Sequence, residues 1–338
     1  MTLPTRTLGR TGIALTTLGF GATGLGNLYR AQTEDNAMAA VEAAHRAGIR
    51  YFDTAPLYGF GLAEHRMGAT RRRLPNDIVL STKTGWCLVP RGASPGLGSA
   101  ADSLFDRPAP FAPRIDYSYD GAMRSFEDSL QRLGTDRVDI LFLHDCDRRN
   151  HGDAYPERFR EAMAGAYRAL LSLREQGAVR AIGAGLNEWE ACQDFAEAGD
   201  FDCFLLAGRY TLLDQASQGS FLPLCGRRGI GVVLGGPYNS GILATGAVPG
   251  AMYDYAPAPP AILERTRAIE DICRRHAVPL RAAALQFPLQ HPTVATVIPG
   301  ARDAAEVEEN LRLMTHPIPD ALWQELRQAG LIRCQGAS

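Results

Sequence analysis

Short runs of β-branched or apolar residues alternate with helical stretches eight times along this chain, and that alternation constrains its fold more than any other feature. Strands separated by helices pair most simply in parallel, with each helix crossing back over the sheet. The strands read at residues 17–20, 50–53, 78–82, 138–143, 179–183, 203–206, 231–234 and 294–298. Helices are predicted from Thr33, a good N-cap, with Ala37, Val41 and Ala44 on one face; over 63–72; and over 119–132, stopped by Gly134. Further helices read at 156–176 behind Pro156, then at 188–198, 221–227, 262–275, 280–290 and 303–314.

Eight such units specify a (β/α)8 TIM barrel, which needs about 250 residues. The rest of the 338-residue chain is accounted for by an N-terminal β-hairpin (6–8 and 13–15, turning through Gly9 to Gly12), by loops and by an extra C-terminal helix at 320–328. One domain spanning 1–338 suffices. The competing architecture, an open doubly wound sheet, carries Gly-x-Gly-x-x-Gly after an early strand. The turn from Gly19 to Gly24 matches that pattern only loosely.

Composition narrows the partners. With 35 Lys and Arg against 37 Asp and Glu, the chain lacks the basic excess of a nucleic-acid binder. No apolar run is long enough to span a bilayer or to serve as a signal peptide, so a cytoplasmic location is expected, with no membrane partner. Seven cysteines, an odd number without a Cys-x-x-Cys pair, argue for free buried thiols over a disulfide framework or a zinc site. A monomer or homodimer acting on a small molecule is the expectation.

In a barrel the chemistry lies where strands end. There the reading places Asp53 at the end of strand two, Tyr58 just beyond it, Lys83 after strand three, His144 at the end of strand four, Asn187 after strand five and Tyr210 after strand six. Singly, each has a plain structural reading: a turn-forming Asp, a solvated Lys, a hydrogen-bonded core His, a packed Tyr. Four ionisable types converging on one rim favour function. His144-Asp145-Cys146-Asp147 looks like a metal site, but residues along a strand face alternate ways, so convergence is not expected and no metal is predicted.

Tyr51-Phe52-Asp53-Thr54-Ala55-Pro56-Leu57-Tyr58-Gly59, then Lys83, then Leu143-His144, resembles the aldo-keto reductase superfamily and its Asp, Tyr, Lys, His tetrad. Leu18-Gly19-Phe20-Gly21, Ser129-Leu130-Gln131-Arg132-Leu133-Gly134, Ile298-Pro299-Gly300 and Glu309-Asn310-Leu311 extend the likeness over nearly the whole chain. Within it, Asp116-Tyr117-Ser118-Tyr119-Asp120-Gly121 and the segment from Ile182 to Trp189 are similar to the aldose 1-dehydrogenase branch. That branch holds L-fucose, D-threo-aldose and galactose dehydrogenases and pyridoxal 4-dehydrogenase.

The resemblance implies hydride transfer to a nicotinamide, with oxidation of an aldose at C1 to the lactone and Tyr58 as general acid and base. A phenol with a pKa of about 10 needs a nearby cation to favour its anion, and Lys83 is the candidate, itself paired with Asp53. His144 would orient the reacting oxygen. The resemblance also implies Tyr210 stacked on the nicotinamide, Asn187 on its carboxamide, the loop with Gly236, Pro237, Ser240 and Gly241 on the pyrophosphate, and Gly300, Arg302, Glu306 and Asn310 around the adenosine. Two departures stand out: Ala207 occupies the place of a glutamine that helps hold the carboxamide, and Glu306 the place of an arginine. Glu306 favours NAD by repelling a 2′-phosphate, while Arg302 keeps NADP open.

Leu28, Tyr29 and Trp86 are the expected pocket wall, with the Pro-rich 252–260 stretch; such a wall suits a sugar or a pyridine ring. The excursion over 88–113 reads equally as a lid or as irregular surface. Two alternatives accompany the aldose reading: pyridoxal oxidation, and a non-catalytic nicotinamide-binding regulatory subunit like the potassium-channel β subunits that resemble this superfamily.

Overall fold

The computed structural model describes residues 3–93, 104–254 and 256–333. Its barrel strands are β1 (Phe20–Gly21), β2 (Tyr51–Asp53), β3 (Val79–Thr84), β4 (Ile140–His144), β5 (Ala181–Leu186), β6 (Cys203–Ala207), β7 (Gly231–Gly235) and β8 (Val294–Ile298). Each pairs in parallel with the next along the chain. The ring closes between the ends: Leu18 bridges Val297 and Gly21 bridges Gly300, with the Gly19 amide donating to the Val297 carbonyl at 2.9 Å.

The helices longer than one turn among the described residues are α1 (Glu34–Arg46), α2 (Leu62–Arg71), α3 (Tyr119–Leu133), α4 (Tyr155–Ala164), α5 (Ala166–Glu175), α6 (Trp189–Ala198), α7 (Phe221–Arg228), α8 (Pro260–Arg275), α9 (Leu280–Gln286), α10 (Ala304–Met314) and α11 (Asp320–Gln328). α1 starts where the Thr33 hydroxyl accepts from the Asn36 amide and buries Ala37, Ala40, Val41 and Ala44. Small side chains there let the helix approach the strands closely. α3 ends at Gly134 in the left-handed region, φ 60°, as its position after the periodic stretch predicts.

The one long helix predicted over 156–176 is instead α4 and α5. Gly165 breaks it because the chain folds around Tyr117: the Ala166 amide donates to the Tyr117 carbonyl at 2.8 Å, and a Cβ on Gly165 would stand 2.5 Å from that oxygen. Strand β3 also runs further than predicted, so Lys83 lies inside it, paired in register with Phe142, rather than after it. Part of the 88–113 excursion is a hairpin, Trp86–Pro90 antiparallel to Phe111–Ile115, while 94–103 lie outside the described residues.

An N-terminal hairpin, Thr5–Thr7 with Ala14–Thr16, closes the end of the barrel where the strands begin. Leu8, Ile13 and Leu15 are fully buried and join Tyr51, Ile140, Phe142, Ala181, Cys203, Leu205 and Val233 in one apolar cluster. Gly9 is required at its tip: φ is +51° and a Cβ would fall 2.4 Å from the Gly229 carbonyl oxygen. Six of the cysteines are described, all buried and free; Cys334 lies outside the described residues. No described helix is long and apolar enough to cross a membrane.

Candidate active site

β2 delivers Asp53 and the turn behind it delivers Tyr58. That turn is tight because Gly59 has φ +62° and lies against Gly26 of the β1 loop; a Cβ on either glycine would fall within 2.6 Å of the other's backbone. Tyr58 is therefore set by contact between two backbones. Lys83, 1% exposed, donates to Asp53 Oδ2 at 2.6 Å and to the Thr54 carbonyl at 2.8 Å. Ser81 donates to Asp53 Oδ1 at 2.7 Å, so both carboxylate oxygens are engaged. The Lys83 Nζ stands 4.7 Å from the Tyr58 ring centre, and the Tyr58 ring meets the His144 ring edge-on at 5.9 Å. The four residues singled out in the sequence thus share one site at the strand ends.

Their electrostatics correct one expectation. Burial raises the Tyr58 phenol above its ordinary value of 10; the Lys83 ammonium pulls it down and Asp53 pushes it up, and burial prevails. Tyr58 is a phenol at neutral pH, not a preformed phenolate. Burial would strip the proton from Lys83, yet Asp53 and Tyr58 keep its pKa raised, so the ammonium persists. Burial and Lys83 together depress His144 well below 6.5, leaving a neutral imidazole. Its Nδ1 is buried without a hydrogen-bond partner among the described residues, and its carbonyl accepts from the Tyr117 hydroxyl at 3.0 Å.

The remaining candidates divide. Tyr210, expected to stack at the mouth, is fully buried against Phe287 at 5.2 Å and His291 at 5.9 Å, its hydroxyl accepting from Gln218. It is a core aromatic, because the chain turns outward after β6 toward the helical layer. Asn187 lies at the end of β5, where its Nδ2 donates to Asp145 Oδ1 at 3.1 Å and its amide to Asp147 Oδ2 at 2.8 Å. Asp145 and Asp147 therefore converge after all: Asp145 has φ +57°, which ends the strand alternation on which the opposite expectation rested. No group of three or more metal-ligating side chains occurs among the described residues.

Beyond β7, Gly236 is exposed with φ +59°, Pro237 is buried, and Asn239, Ser240 and Gly241, which form a single 3-10 turn, all have positive φ. Asn239 donates to the Gly208 carbonyl at 2.9 Å. Beyond β8, Gly300 is exposed; Arg302 grips Glu306 through Nε at 3.0 Å and through its backbone amide at 2.8 Å. Asn310 is 6% exposed and links the two loops, accepting from the Tyr238 hydroxyl at 3.1 Å and reaching the Gly300 carbonyl at 3.5 Å.

On the substrate side, Trp86 and Leu28 meet Leu57, Phe60, Phe105 and Tyr58 in a small apolar cluster. Trp86 is 7% exposed and donates from Nε1 to Asp145 Oδ2 at 3.1 Å. Tyr29 is 60% exposed, its amide donating to the Leu104 carbonyl at 2.8 Å. Sequence reasoning missed a bridge over the rim: Asp254, in the expected wall stretch, accepts from Arg209 at 2.9 Å and from Arg149 at 2.6 Å. Opposite charges on loops 45 and 105 residues apart give no local pattern.

A closed parallel barrel with an ammonium, a phenol and a neutral imidazole at one mouth is the framework of a carbonyl–alcohol oxidoreductase. The model described as "Aldo/keto reductase family" matches residues 17–331, and the chain belongs to that family. Among its relatives are pyridoxal 4-dehydrogenase of Microbacterium luteolum, 44% identical and covering 97% of each chain, and D-threo-aldose 1-dehydrogenase of a Pseudomonas species, 40% identical over 95% of this chain and 96% of that one. Of solved structures, the holo form of aldo-keto reductase AKR11C1 from Bacillus halodurans superposes with a TM-score of 0.72 at 25% identity, covering 98% of this chain and 97% of that one. The chain is an oxidoreductase of that family.

Proposed function

We propose that the chain oxidises the anomeric carbon of an aldose in its cyclic hemiacetal form, of L-fucose, D-arabinose or L-galactose type, to the lactone. The observation that carries this reading is the Tyr58, Lys83, Asp53 and His144 group, in which a phenol faces an ammonium and a neutral imidazole. Thr54 Oγ1, His144 Nδ1 and Asn239 Oδ1, buried around the mouth without protein partners among the described residues, fit a polar ligand lying across it. A nicotinamide dinucleotide bound there supplies the hydride acceptor. Asn187 would hold its carboxamide, the backbone of Gly236, Pro237, Ser240 and Gly241 its pyrophosphate, and Gly300, Arg302, Glu306 and Asn310 its adenosine.

Tyr58 exchanges the proton of the reacting hydroxyl, giving it in reduction and, once ionised, taking it in oxidation. Lys83 stabilises the anionic form, Asp53 holds Lys83, and His144 orients the oxygen without competing for the proton. NAD is the favoured cofactor. Glu306 shields Arg302 from a 2′-phosphate by holding it in an ion pair.

Pyridoxal is the second reading. The 44% relative is named for it, and the aromatic wall of Trp86, Phe60 and Phe105 suits a pyridine ring. Pyridoxal also closes to an internal hemiacetal, so one chemistry covers both substrates. The test is an assay for reduced-cofactor formation over a panel of aldoses and pyridoxal, with NAD and NADP in parallel. Turnover of an aldose with NAD supports the proposal, turnover of pyridoxal alone selects the second reading, and cofactor binding without turnover of any would point to a regulatory subunit.

A further inference from the structure

We infer that Asp145 is a positioning residue that aims the Asn187 amide at the nicotinamide, replacing the support that Ala207 cannot give. The inference rests on the proposed cofactor site. Asp145 follows β4 with φ +57°, an uncommon conformation for a residue with a side chain, and is 7% exposed. Its amide is fixed to the Gly185 carbonyl at 3.1 Å. Oδ2 accepts from Trp86 Nε1 at 3.1 Å, and Oδ1 accepts from Asn187 Nδ2 at 3.1 Å, with His144 Nε2 3.6 Å from the same oxygen. One carboxylate therefore spans β4, β5 and the arm that follows β3.

Both partners of Asp145 are donors, so the position calls for a group that only accepts. With Nδ2 drawn to Asp145, and lying 3.5 Å from Asp147, Asn187 keeps its Oδ1 without a donor among the described residues. That oxygen is what a carboxamide N–H needs. Among the described residues no cation touches the Asp145 carboxylate: Lys83 attracts it from a distance, while Asp147 repels it. A buried carboxylate held by two neutral donors is poorly placed for stability and well placed for orientation.

The same surroundings make the device sensitive to acid. Burial and then Asp147 raise the Asp145 carboxyl to about 7, against the pull of Trp86, Lys83 and Asn187. Facing it are neutral His144 on its own strand, the Lys83 ammonium from β3 and the Tyr58 phenol from the β2 turn, while the His151 ring reaches its backbone. As pH falls through about 7, one oxygen becomes a donor facing a donor, and the grip on Trp86 or Asn187 is lost.

The experiment compares binding of NADH and of ADP-ribose, which lacks the nicotinamide, to the wild type, Asp145→Asn, Asn187→Ala and the double variant, each checked for folding by its melting temperature. Asp145→Asn is expected to weaken NADH about tenfold, to leave ADP-ribose unchanged, and to flatten the fall in NADH affinity between pH 8 and 6. The double variant is expected to bind NADH no worse than Asn187→Ala, because Asp145 acts through Asn187. Wild-type NADH affinity and pH profile in Asp145→Asn, equal losses for both ligands, or additive losses in the double variant would overturn the inference. Loss of the proposed substrate reading alone would leave these binding results standing, so the two fail separately.

Discussion

In the proposed reaction a single phenol carries the proton transfer, and its environment makes two predictions. Tyr58→Phe removes one oxygen and keeps the ring, so folding and cofactor binding are expected to survive while turnover falls by about 10²–10⁴-fold, as measured by steady-state rates beside a binding titration. Because burial holds the Tyr58 pKa above 10, the base form is scarce at pH 7 and grows about tenfold per pH unit. Oxidation is expected to accelerate steadily from pH 7 to 9.5 and carbonyl reduction, which uses the protonated phenol, to hold nearly level; an oxidation rate flat over that range would sink the assignment. At the cofactor's far end, Glu306→Arg frees Arg302 from its ion pair, and the ratio of NAD to NADP efficiency is expected to fall. The tetrad was legible because its members sit at strand ends within a recognisable order. Tyr210 was misread because position after a strand does not say which way the chain turns next, and Asp145 was passed over because its left-handed backbone cancels the alternation that strands obey.

Elements with strong local signals came through from sequence alone. Thr33 and Gly134 mark helix ends through hydrogen-bonding and backbone rules that act within four residues, and the last helix falls at Asp320–Gln328 as read. The break between α4 and α5 did not, since its cause is the backbone of Tyr117, some 50 positions away in the chain. The same limit hid the Asp254 bridge. The hairpin offers a test of what an element contributes: Leu8 is fully buried beneath the barrel, so Leu8→Ala is expected to cost about 2–5 kcal/mol in denaturant unfolding while leaving kcat unchanged, because the mouth lies at the other end.

For the whole molecule, the alternation of strands and helices was enough to name the barrel, since few topologies bury eight parallel strands and cover them with helices. Closure itself rests on the short contacts between Leu18 and Val297 and between Gly21 and Gly300, which no pattern announces. The outer layer joins residues from Leu3 to Ile332 in one apolar cluster, so calorimetry is expected to show one cooperative unfolding transition rather than two. The sealed lower end, with Gly9 pressed on Gly229, gives the molecule a handle as well as a floor. Coupled to a support through that underside, it would face the solution with its working side, and crowding by the matrix would fall on the half that performs no chemistry.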